Sequence, residues 1–541
     1  MTRVSNAARE AFLCIPPFPG SNISALAGTT VRRVDPTDLA ERLRRLRVGG
    51  AFWAAQPALP ADYVLVTTAA ALGSAERLCP GKPVVLWDRA GGTRRAGETV
   101  IVGECDPWHM LAGAAALVGE PREDLRLIAA LLDVDHYHFD RSTGLSQLIE
   151  VDAAGLVEQA FAEAGFENPF TGEPMDALEA AELCDFWRAL IDSNRGIAGG
   201  FGFAFWKQGH VAPLLWDGGS PFRFVRSAAG IAQGGSVAVW RVRASAELVS
   251  DFERAGVRLV EVEDGFLRSS GLGADCIPPL SITVDRMGAH FDPAQPSELE
   301  NLLQHAEFDD PTLARARELR RLVVDAGLGK YGQGTGSLDR PAGNRRHILV
   351  PGQVEDDRAV QAGGCGLVSN LELLARVREQ APDAYIIYKP HPDVVAGHRR
   401  GAIPERKCHL YADRIVADGP IAPLLAMIDE VHVNTSLAGF EALLRNKPVT
   451  TYGVPFYAGW GLSRDLGPVP TRRTRERSID ELAAATLLLY PRYLDPVTGL
   501  PCPAEVLVSR LSASQTREPG MIVGMRRLQG KLLRRLRSLV Q

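Results

Sequence analysis

From residue 347 onward the chain alternates short β-branched or aromatic runs with helix-length segments, and a polar motif follows most of the runs. The strands read as His347–Val350, Ala384–Tyr388, Arg414–Val416, Glu430–Val433 and Val449–Thr451. The intervening helices read as Asn370–Gln380, Ile421–Met427 and Leu437–Asn446. Strands that alternate with helices imply βαβ crossovers and hence a parallel sheet. Residues 347–510 therefore predict a doubly wound, Rossmann-like lobe whose ligands lie beyond the carboxyl ends of its strands.

A second α/β unit reads across residues 197–330. Its strands are expected at Phe201–Trp206, Ser236–Trp240, Arg258–Val262 and Ser281–Val284, followed by a helical run from Ser297 to Ala326. Two such lobes imply an α/β fold of GT-B-like architecture with the site in the cleft between them. Gly327–Arg346, which contains Gly332-Gln-Gly-Thr-Gly336, reads as an exposed interlobe linker. Upstream, residues 1–140 predict an N-terminal α/β domain, either separate or a shortened, divergent relic of a repeated module. Its strands are expected at Ala11–Ile15, Tyr63–Thr67, Pro83–Trp87 and Glu98–Val102, and its helices at Pro36–Arg47, Pro107–Val118 and Arg122–Leu132. Residues 141–196 read as a helical bridge, with helix-compatible Leu145–Ala164, a turn at Asn168–Pro174 and an amphipathic helix at Asp176–Asn194.

The formal net charge of −5 argues against nucleic acid as the main partner. The eight cysteines show no zinc or redox spacing, so free thiols in a reducing cytoplasm are expected. No signal peptide and no apolar run of membrane-spanning length is evident, and no metal or cofactor is called for by any motif. His136 and His138 suit core or surface roles better than metal ligation. Residues 515–541 form a tail with six Lys or Arg and no acids from Met521 to Gln541. Met525, Leu528, Leu532, Leu536 and Leu539 follow helical spacing, which suits either an anionic membrane or docking on the protein.

Four motifs carry chemistry. Tyr388-Lys389-Pro390-His391-Pro392-Asp393 is a rigid turn after a strand. It presents Lys389 and His391 as cations or donors to a nucleotide phosphate, or else is a structural turn whose His caps a neighbouring carbonyl. Val433-Asn-Thr435-Ser436 leads into a helix carrying Glu441. Thr435 and Ser436 offer hydroxyls and N–H groups to an anion, and Glu441 suits ribose hydroxyls. The alternative is a plain N-cap with Glu441 in a capping box. Gln353 and Asp357 follow the strand ending at Val350, within a loop that also reads as solvated and acidic. In the other lobe, Glu263-Asp264-Gly-Phe-Leu-Arg268 places an acidic pair at a strand end. Carboxylates serve glycosyl transfer as bases or nucleophiles. Arg268 suits an acidic sugar, or a surface pair with Glu263. Pro455–Leu462 holds aromatics, Trp460 among them, that suit either sugar stacking or packing.

Together these strings resemble the bacterial capsule polysaccharide β-Kdo transferases of the KpsC/KpsS type. The resemblance runs from about Asn168 to Cys502 and includes Pro351-Gly-Gln-Val354, Lys389-Pro-His-Pro392, Thr435–Glu441, Pro455–Gly461 and Leu489–Gly499. It implies a CMP-β-Kdo donor, a lipid-linked Kdo acceptor, a cytoplasmic position at the inner-membrane surface near the capsule export machinery, and no metal or other cofactor. Carried over by position, Lys389, His391, Ser436 and Glu441 would hold CMP, and Asp264 would be the catalytic carboxylate of a retaining transfer. The chain departs from the family in having room for one whole module, and in having Ala359 where a serine is usual and Gly332 where Asn is expected. The remaining alternatives are a transferase of another nucleotide sugar, an epimerase with the same phosphate grip, and a non-catalytic capsule assembly factor.

Overall fold

The computed structural model describes residues 12–15, 17–18, 33–91, 99–162, 164–268, 277–330, 332–333, 338–341, 343–397 and 399–513. The basic tail at 515–541 and most of the Gly332–Gly336 segment lie outside them. The chain divides into two compact units, Met1–Arg195 with Leu215–Pro221, and Gly196–Leu214 with Phe222–Gln541.

The first unit is built on a six-stranded sheet. In spatial order the strands are Thr99–Val102, Val84–Asp88, Tyr63–Val66, Ala114–Gly119, Asp135–Asp140 and Leu145–Ile149. All neighbours are parallel except the last pair. Two expected helices are corrected here. Pro107–Val118 is helical only over Pro107–Leu111, and Ala114–Gly119 is a buried strand between two others. Alanine-rich sequence favours helix locally, but pairing on both sides overrides it. Leu145–Ile149 is a strand because Asp140–Gly144 closes a hairpin. Ser142 and Thr143 donate to the Asp140 carboxylate there, and Gly144 takes φ +70°. Phe12–Ile15 forms no strand. Helix Ala177–Asn194 begins at a capping box made by Asp176 and Glu179, as its sequence suggests.

The second unit contains two sheets of six strands. One is wholly parallel, in the order Arg414–Ile415, Tyr385–Lys389, His347–Pro351, Glu430–Val433, Val449–Thr451, Arg464–Asp465. In chain order this is 3-2-1-4-5-6, the doubly wound arrangement, with its crevice between the first and fourth strands. The other sheet is mixed. Ile197–Phe201, Ser236–Val239 and Arg258–Asp264 run parallel, and Ser281–Asp285 is antiparallel to the last of them. Pro491–Leu494 and Pro501–Cys502 then extend this sheet, although their sequence follows the other lobe. The expected strand at Phe201–Trp206 is displaced to Ile197–Phe201. Gly202 (φ +79°) turns the chain beneath the Trp240 carbonyl, and helix Phe205–Val211 follows. The helical run after Ser297 is two helices, Glu298–His305 and Asp310–Asp325, capped separately by Ser297 and Asp309.

Candidate functional site

A cleft of about 970 Å³ lies within the second unit, lined by strand ends of both sheets. Its wall on the mixed sheet carries Glu263 and Asp264 at the end of strand Arg258–Asp264. Asp264 Oδ2 lies 2.8 Å from Arg268 Nε, and Oδ1 lies 3.4 Å from Lys207 Nζ. Burial pushes the Asp264 carboxyl up, but Arg268, Lys207 and Lys330 together outweigh burial and hold it well below the usual carboxylate range. Glu263 behaves oppositely. Burial, with Asp264 and Glu261 beside it, lifts it to about 7, although Arg358 approaches within 2.5 Å. Adjacent carboxyls with divergent acidity can divide the roles of nucleophile and proton carrier.

Arg268 is corrected from the sequence reading. Its side chain is 1% exposed and pairs with Asp264 rather than Glu263, while Nη2 donates to the Ile277 carbonyl. It also lines the cleft, where Asp264 is its carboxylate partner. Lys207 carried no motif in the sequence. Its ammonium lies 3.3 Å from the Trp240 ring centroid and 5.2 Å from that of Trp206, and burial brings it down to about 8.

The opposite wall is the crevice of the parallel sheet. Gln353 follows its first strand and Thr435 its fourth, and the two are clamped together. Gln353 Nε2 donates to Thr435 Oγ1 at 2.9 Å, and Thr435 N donates to Gln353 Oε1 at 3.0 Å. Ser436 caps helix Leu437–Leu444 by accepting from Ala438 N. The third helical position is Gly439, so Glu441 forms no capping box. Its buried carboxylate instead accepts from Lys330 N at 2.8 Å, and burial raises its pKa above the ordinary carboxylate value. This contact also corrects the reading of Gly327–Arg346 as an exposed linker over its first four residues, whereas residues 338–340 and 343–346 are exposed as expected. Leu328 is fully buried, and Gly327, Gly329 and Lys330 line the cleft.

The Lys389–Pro392 turn lines the same wall, and both of its polar side chains already have partners there. Lys389 Nζ donates to the carbonyls of Gly419 (2.6 Å) and Asp418 (3.4 Å), which ties down the loop behind it. His391 Nδ1 accepts from Asp393 N at 3.1 Å, which puts the ring proton on Nε2. Burial, then Lys330 and Arg399, brings the ring down to about 3, so His391 is a neutral donor and not a cation. Asp357 caps helix Arg358–Gly363 at the cleft edge. Trp460 does not reach the cleft. It is fully buried, donates Nε1 to the Phe456 carbonyl and packs beside Arg473. Phe456 lines the cleft in its place, 4.8 Å from Phe266 and 5.8 Å from the half-buried ring of His290. Among the described residues no cluster of three or more His, Cys, Asp or Glu is disposed to hold a metal. No described helix is long and apolar enough to cross a membrane.

Comparison with known proteins bears on this geometry. The model of the family described as "Capsule polysaccharide biosynthesis protein" matches residues 236–326 and 332–493, which hold both cleft walls. A KpsC domain from Thermosulfurimonas dismutans, solved as a β-Kdo 2,7 transferase, is 33% identical and is covered over 99% of its length by 59% of this chain, with a TM-score of 0.48. The chain belongs to the KpsC/KpsS-type capsule polysaccharide biosynthesis family. Another KpsC domain of that organism, a β-Kdo 2,4 transferase, is 29% identical with a TM-score of 0.50 and is covered over 98% of its length by 58% of this chain. The capsule polysaccharide modification protein LipA of Neisseria meningitidis serogroup B is 38% identical over 371 residues, or 66% of this chain. The chain spans about half the length of the curated relatives it matches (52% of LipA). Of the site residues, Lys207 and Lys330 fall outside the segments matched by the capsule family model.

Proposed function

We propose that this chain is a retaining glycosyltransferase of GT-B-like architecture that transfers β-Kdo from CMP-β-Kdo to a lipid-linked acceptor in capsule biosynthesis. The observation that carries this reading is Asp264, an ionised carboxylate at a strand end, held by Arg268 and Lys207 across a cleft from a helix-capped crevice. A KpsC protein that this chain resembles is named as a β-Kdo 2,4 transferase, which supports Kdo as the transferred sugar. In this reading Ser436, Thr435 and the Nε2–H of His391 receive the nucleotide phosphate, with the helix N-terminus adding its partial positive charge. Glu441 and the backbone of Lys330 lie on the ribose side, and Lys389 and Gln353 hold the loops that shape the pocket. Asp264 stays ionised while Glu263 titrates near neutrality, which suits Asp264 as nucleophile and Glu263 as proton carrier.

The test is incubation of the full chain with CMP-Kdo and a synthetic Kdo-lipid acceptor, reading CMP release and product mass. Asp264→Asn is expected to lower turnover by at least about 100-fold while leaving CMP binding intact. A variant that turns over near the wild-type rate would sink the assignment. CMP at about 100 times its Kd is expected to stabilise the protein by about 2.7 kcal/mol in thermal unfolding, and UDP to do less. The reverse order would favour a different nucleotide sugar.

A further inference from the structure

Arg358 belongs to none of the motifs, yet it joins the two walls of the cleft. It is the first residue of helix Arg358–Gly363, which follows the nucleotide-side loop, and its N-cap is Asp357. From there Nη1 reaches Glu263 Oε1 at 2.5 Å and Glu261 Oε2 at 3.2 Å on the mixed sheet. Glu261 is held from its other side by Arg241 at 2.7 Å. Glu261 and Glu263 stand two apart on one strand and so share a face, and Arg358 bridges them. Its guanidinium carbon also lies 5.0 Å from the Phe291 ring centroid, which fixes the fork from behind.

We propose that Arg358 is a positioning residue that holds Glu263 at the cleft wall, where Glu263 exchanges a proton with the acceptor hydroxyl. The proposal rests on the glycosyl-transfer reading above. In the transfer step the acceptor oxygen forms its bond to the anomeric carbon. The bond from that carbon to the departing oxygen breaks, and its electron pair stays on that oxygen. The hydroxyl proton passes to the Glu263 carboxylate. Glu263 is faced by Arg358 from the helix, by Glu261 and Asp264 from its own strand, and by Lys207 from helix Phe205–Val211. Among these Arg358 lies closest, so its removal disfavours the ionised form of Glu263.

The experiment is the pH dependence of kcat for wild type, Arg358→Gln, Arg358→Lys and Glu263→Gln, with thermal unfolding of each from pH 5 to 9. The limb assigned to Glu263 is expected to move about one pH unit or more to the alkaline side in Arg358→Gln, to return toward wild type in Arg358→Lys, and to vanish in Glu263→Gln. An Arg358→Gln profile that is lowered evenly with its limb unmoved overturns the proposal. The unfolding arm needs no substrate. A carboxyl raised from 4.5 to about 7 on folding keeps a proton that the unfolded chain releases, so stability falls between those values as pH rises. Glu263→Gln is expected to remove that component and Arg358→Gln to extend it to higher pH. Identical stability profiles in wild type and Glu263→Gln also overturn the proposal. If wild type turns over no CMP-Kdo but the unfolding profiles behave as stated, the choice of donor fails and the Arg358–Glu263 coupling stands.

Discussion

Asp264 owes its charge to the cations around it. Its carboxylate is drawn out of water by the cleft, and Arg268, itself 1% exposed, offsets that cost. Arg268→Ala is expected to destabilise the protein by about 1.5–3 kcal/mol, the range for a hydrogen bond to a charged group, because Lys207 remains 3.4 Å from the carboxylate. Urea denaturation would measure it, and a loss below about 1 kcal/mol would mean that solvent screens the pair. Gly439 shows the other kind of residue-level constraint. A Cβ there would stand 2.1 Å from Tyr457 Oη, and Tyr457 is fully buried with its hydroxyl donating to the Ser436 carbonyl at 2.6 Å. Gly439→Ala is therefore expected to cost about 1–3 kcal/mol by overpacking and to disturb the Ser436 cap with it. A thermal melt with and without CMP would report both effects. The string Thr435–Glu441 was visible as a motif, but the need for Gly439 was not, because Tyr457 meets it only after folding.

At the scale of elements, the parallel sheet was the most readable part of the chain. Five of its strands and three of its helices fall within a few residues of where periodicity and turn residues put them. The mixed sheet was less so. Its strand Pro491–Leu494 comes from the far end of the sequence and pairs with Ser281–Thr283, so no local pattern could assign it. Tyr490, just before it, donates to the buried carboxylate of Asp285 at 2.8 Å. Tyr490→Phe is expected to cost about 1.5–3 kcal/mol, the range for hydrogen bonds to charged groups. Denaturant unfolding that detects no change would show that the backbone donors to Asp285 suffice. Short strands and turns were the recurrent misreadings. Ala114–Gly119 looked helical by composition and Leu145–Ile149 by its neighbours, and each was decided by pairing to an adjacent strand.

For the whole molecule, the division into units does not follow the order of the chain. Residues 215–221 belong to the first unit although residues 196–214 belong to the second. Leu215 is fully buried, Trp216 packs 5.2 Å from Phe18, and Asn194 donates to the Trp216 carbonyl. A shortened chain that begins at residue 196 is thus expected to expose this segment, bind more of an apolar dye and self-associate on size exclusion, unlike the full chain. A monodisperse product with no added dye binding would show that the segment finds other cover. What the sequence by itself determined was the parallel α/β lobe and the polar motifs at its strand ends, because strand period, helix caps and turn residues act over a few neighbours. The pairing of charges was decided only by the tertiary structure. Lys207 meets Asp264 from 57 residues away, and Arg358 meets Glu263 from 95. At such separations, which cation lies within a few ångströms of a carboxylate depends on how the sheets are packed, and it is that distance, together with burial, that sets the acidity of each group.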